Sequence, residues 1–160
     1  MPRRRPQRLT QGLMKMNELE LIQGICEGYI AYAEELERKR KPTDGLLGMG
    51  SKPADDPCHD RFAEDMEKAL NDMCSQSPPS ETVYSVLSYI YHLPVLHREP
   101  VSIFWMLCAV HGLTLDMTKL LGTDDALALK KQYSADFSRW ERLPAQQKVY
   151  KALKQSAIRN

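Results

Sequence analysis

No apolar run in this chain approaches the roughly 18 residues that a membrane-spanning helix requires. The longest candidate, VSIFWMLCAV, covers Val101 to Val110. The opening MPRRRPQRL carries arginines but no apolar segment behind them, so it lacks the form of a secretion signal. A cytoplasmic protein with no membrane partner is the resulting expectation. Cysteine is sparse and scattered: Cys26, Cys58, Cys74 and Cys108 form no C-x-x-C pair. That argues against a disulfide framework and against the paired-ligand pattern of structural zinc, and favours free thiols in a reducing compartment. Alternating, strand-like segments are few, and no internal repeat is visible.

What remains is a chain of 160 residues, 42% hydrophobic and 27% charged, long enough to bury a core without covalent staples. Residues 1–15 read as a basic arm, with Pro2 and Pro6 among arginines, and residues 16–160 as one α-helical domain. Apolar spacing predicts about seven helices. The first has Asn17 as its cap and a heptad-like stripe of Leu19, Ile22, Cys26, Tyr29, Ala33 and Leu36, widened by Ile25 and Tyr32. Asp56-Pro57 opens a second, with Phe62, Met66, Ala69, Leu70 and Met73 inside. Ser80 is placed to cap a third carrying Val83, Val86, Leu87 and Ile90. A fourth, Val101 to His111, is apolar enough to be central, and LTLDMTKLLG supplies a short fifth. Thr123 with two aspartates begins a sixth, carrying Ala126, Leu129, Tyr133, Phe137 and Trp140. Pro144 begins a seventh with Val149, Tyr150, Leu153 and Ile158. The expected class is an all-α bundle with little or no β structure.

Net charge is only +1, but it is unevenly distributed. Arg3, Arg4, Arg5 and Arg8 crowd the N-terminus, and Arg38, Lys39, Arg40 and Lys41 form a second basic run. From Lys130 to Asn160 eight basic residues face Asp136 and Glu141, a local +6. Arg139, Trp140 and Arg142 set an aromatic between cations, and Lys148, Lys151 and Lys154 recur every third residue on the last helix. Cations beside an aromatic suit a phosphate backbone and stacked bases. The competing reading is the solvated face that every amphipathic helix needs.

Other motifs test poorly against their chemistry. Gly45 to Lys52 reads G-x-x-x-x-G-S-K, with lysine and hydroxyl exchanged relative to a phosphate-binding loop, and Pro53 follows directly. Cys58 and His59 lie at the start of a helix, where the dipole favours a thiolate, but adjacent helical side chains diverge by about 100°. CAVHGLTLDMTKLL has the small residue and glycine of a helix-turn-helix turn, yet only Asp116, Thr118 and Lys119 would face DNA. Cys108 and His111 share a face, but it is apolar.

One pattern carries a resemblance. Gly48 and Gly50, followed by Asp56, Pro57, Cys58, His59, Phe62 and Asp65, give G-x-G…D-P-C-H-x-x-F-x-x-D, about a tenth of the chain. It resembles small uncharacterised helical proteins of bacterial mobile elements and prophages. The resemblance implies an accessory or inhibitory protein, anti-CRISPR proteins being one such class, and attaches no activity.

The sequence thus leads to a non-enzymatic binding protein without cofactor or metal, contacting nucleic acid or a nucleic-acid-handling complex through its basic surfaces. An interaction or inhibitor module docking on a partner enzyme is the alternative. An enzyme using Cys58, by thiol chemistry or zinc, is a third.

Overall fold

The computed structural model describes residues 17–39, 57–99, 101–136 and 143–158. Six α-helices are present among them: α1 (Glu18–Arg38), α2 (Pro57–Ser75), α3 (Ser80–Leu96), α4 (Val101–Ala109), α5 (Thr123–Ala135) and α6 (Pro144–Ile158). Two 3-10 segments, Val110–Thr114 and Asp116–Leu120, stand between α4 and α5. No strand occurs among the described residues, so the all-α expectation holds.

The start of α1 is dictated locally. The Asn17 side chain accepts from the Glu20 amide at 2.8 Å, and the Glu20 carboxylate accepts from the Asn17 amide at 3.4 Å. This reciprocal box satisfies two donors that no helical turn can reach. The buried face keeps most of the expected stripe: Ile22, Cys26 and Ala33 go inside, joined by Ile30, and Leu19, Ile25 and Tyr29 pack partly against the core, while Leu36 is 41% and Tyr32 54% exposed. A straight helix turns every 3.6 residues, so a seven-residue repeat drifts by about 20° per heptad. Over two heptads the series Ile22, Tyr29, Leu36 rotates out of the core, and Ile30 rotates in.

α2 starts at Pro57, whose missing N–H costs nothing in a first turn. Its expected cap, Asp56, lies outside the described residues. Phe62, Met66, Leu70 and Met73 are buried as the spacing predicts, and the Cys26 thiol meets the Met66 sulfur at 3.9 Å. The hub is α3 rather than α4. α3 packs against α1, α4, α5 and both 3-10 segments, and Val83, Val86, Leu87 and Ile90 are at most 1% exposed. Each such side chain contributes about 1.5–3 kcal/mol of burial. α4 was expected to be central, but it is short and keeps Val101 and Trp105 at the surface. Ser80 does not cap α3, where Pro79 takes that place. Its hydroxyl donates to Asp125 at 2.6 Å and accepts from the Gly122 amide at 2.7 Å, pinning the start of α3 to the start of α5.

The fourth and fifth helices expected from the sequence are therefore one α-helix that tightens into two 3-10 segments. Tight turns leave carbonyls without i+4 partners, and side chains take them up. Thr114 donates to the His111 carbonyl and Thr118 to that of Leu115, both at 2.7 Å. α5 ends at Ala135, so Phe137 and Trp140, expected on it, lie beyond its end and outside the described residues. On α6, Val149 and Leu153 are buried as expected, whereas Ile158 is 78% exposed.

Candidate functional site

α6 is held from below by both apolar and polar contacts. Val149 and Leu153 are fully buried, and α6 packs most extensively along α5. Gln146 donates to the Cys108 carbonyl at 2.6 Å, and Ser156 donates to the Thr118 carbonyl at 2.8 Å. Two buried side chains ten residues apart thus tie one end of the helix to the last turn of α4 and the other to the second 3-10 segment. Apolar spacing marks Val149 and Leu153 in the sequence, whereas the two polar anchors carry no local signal. They could not be inferred without knowing that carbonyls at 108 and 118 await donors.

The opposite face of α6 presents Gln147, Lys148, Lys151, Lys154 and Gln155 to solvent. Successive lysines rise by about 4.5 Å along the axis and stay within one side of the helix. The helix contains no acidic residue, and none of the three lysines makes an ion pair among the described residues. Lys131, also exposed, lies on α5, the helix most closely packed against α6. It belongs to the same basic segment of sequence but was not singled out from it. The arrangement sets three exposed lysines along one helix whose two ends are held by buried hydrogen bonds.

The remaining basic candidates divide into two sets. Arg38 and Lys39 are exposed at the end of α1 and share one acid: Arg38 pairs with Glu35, and Lys39 reaches it at 3.6 Å. Such exposed pairs contribute little to stability, but they offset local positive charge. α1 and α6 are not among the closely packed helix pairs, so this end of α1 is separate from the lysine face. Arg3, Arg4, Arg5, Arg8, Arg40, Lys41, Arg139, Trp140 and Arg142 all lie outside the described residues.

The helix-turn-helix reading meets a steric obstacle. Its second helix is the 3-10 segment Asp116–Leu120, in which Met117 and Thr118 are buried. Only Asp116 and Lys119 of the three readers are exposed, and they pair with each other at 3.6 Å.

The thiols are placed for packing. Cys26 and Cys108 are buried, and burial pushes each thiol up to about 12. Cys74 is raised too, by desolvation and then by Asp116. Cys58 is 3% exposed at the start of α2, and the neighbouring His59 Nδ1 lies 3.9 Å from Asp60. No group of three or more His, Cys, Asp or Glu side chains among the described residues is arranged to hold a metal ion.

A buried polar seam joins α3, the first 3-10 segment and α5. The Tyr91 hydroxyl meets that of Thr114 at 2.6 Å, and His111 Nδ1 meets the Tyr133 hydroxyl at 2.9 Å. The Tyr91 and Tyr133 rings lie edge to face with centroids 4.9 Å apart. The Ile90 carbonyl, which Pro94 four residues on cannot serve for want of an N–H, lies toward His111 and favours its protonated form. Desolvation outweighs this and drives the imidazole down to about 3, so it is neutral at physiological pH. Histidine, threonine and two tyrosines together suggest chemistry, but each is at most 2% exposed. A substrate has no access, and the seam is structural.

Two clefts open between α1 and α2. The larger, about 560 Å³, is lined by Gly24, Ile25, Gly28, Tyr29, Tyr32, Cys58 and Arg61. The Tyr29 hydroxyl at its edge donates to Asp65 at 2.7 Å. That bond, then desolvation, raises the phenol to about 12.

Comparison of the chain with family models, with curated proteins and with solved structures gave no match. Among the described residues, no helix is long and apolar enough to cross a membrane.

Proposed function

We propose that the protein is a non-enzymatic accessory factor that binds nucleic acid, or a nucleic-acid-handling complex, with the lysine face of α6 as its principal contact. The observation that carries this reading is the pairing of three exposed, acid-free lysines with a helix fixed at both ends by buried side-chain hydrogen bonds. A fixed array holds its charges in register with phosphates at little entropic cost, whereas a floppy one would lose binding energy to ordering. Lys131 is exposed on the neighbouring helix, and the basic segments at 3–8 and 139–142 add charge in sequence. Contacts of this type read backbone rather than bases, so sequence preference is weak.

The test is fluorescence anisotropy with labelled duplex and single-stranded oligonucleotides. Replacing Lys148, Lys151 and Lys154 with glutamate should weaken binding by about tenfold or more. An unaltered affinity would assign the lysines to ordinary solvation. Glu67→Lys, on the exposed side of α2, serves as the charge control.

The second reading, an interaction or inhibitor module of the mobile-element kind, is favoured by the exposed Leu21, Tyr32 and Leu36 on α1. Its check is recovery of a defined partner enzyme whose activity falls when the two are mixed.

A further inference from the structure

We draw no further inference here: the strongest candidate, the cleft of about 560 Å³ that Gly24, Gly28 and Tyr32 of α1 form with Arg61 of α2, is an unpartnered face around two glycines, and nothing among the described residues shows what covers it.

Discussion

His111 lies at 0% exposure between Tyr133, Tyr91 and the Ile90 carbonyl. Its pKa falls from 6.5 to about 3 because burial penalises the imidazolium. An unfolded chain therefore takes up this proton below about pH 6.5, while the folded one does not until about 3. Stability present above 6.5 is lost as pH falls through that window, by about 1.4 kcal/mol per pH unit for one proton. Urea unfolding at pH 6.5 and pH 5 should differ by about 2 kcal/mol from this residue. His111→Gln should remove that increment, and an unchanged pH slope would contradict the burial argument. Gln146 and Ser156 allow a second prediction at this scale. Gln146→Ala removes the donor to the Cys108 carbonyl and should cost about 1–3 kcal/mol. Ser156→Ala should cost less, about 1 kcal/mol, because the Thr118 carbonyl retains the Leu121 amide at 3.3 Å.

At the scale of elements, caps and apolar spacing were legible where one helix obeys one rule. Asn17 and Glu20 announce the start of α1, and Val83, Val86, Leu87 and Ile90 define the inner face of α3 without help from tertiary structure. The errors share a physical cause: a competing partner far away in sequence. Ser80 gives up its cap for Gly122 and Asp125, and at the 110–120 segment the carbonyls of Cys108, just before it, and of Thr118 are taken up by Gln146 and Ser156. The exposed lysines of α6 were visible in sequence, but their rigid mounting was not. Lys131 is one of the eight basic residues from Lys130 onward, but only packing shows α5 beside α6. A turn supplies another prediction. Ser77 holds φ at 50° just beyond α2, a left-handed conformation that disfavours a side chain. Ser77→Gly should raise stability by about 1 kcal/mol in denaturant titration, opposite in sign to most glycine substitutions.

For the whole molecule, the total charge of +1 hides the feature that matters. Acids dominate the exposed side of α1, with Glu20, Glu27, Glu34 and Glu35, while α6 carries lysines alone. The same molecule thus carries a lysine-rich face on one helix and, on another, an apolar strip edged with acid. Binding that depends on the first must respond to salt, since each phosphate neutralised releases condensed counterion. The most direct measurement is the affinity for a labelled DNA duplex across 50 to 300 mM salt, for the unaltered chain and for the Lys148→Gln, Lys151→Gln, Lys154→Gln variant. The unaltered chain should give a linear fall of log affinity with log salt, and the variant's slope should be shallower by about 2–3, close to 0.9 for each lost phosphate contact. Equal slopes for the two proteins, or no binding at 50 mM, would contradict the assignment of α6 as the nucleic-acid contact.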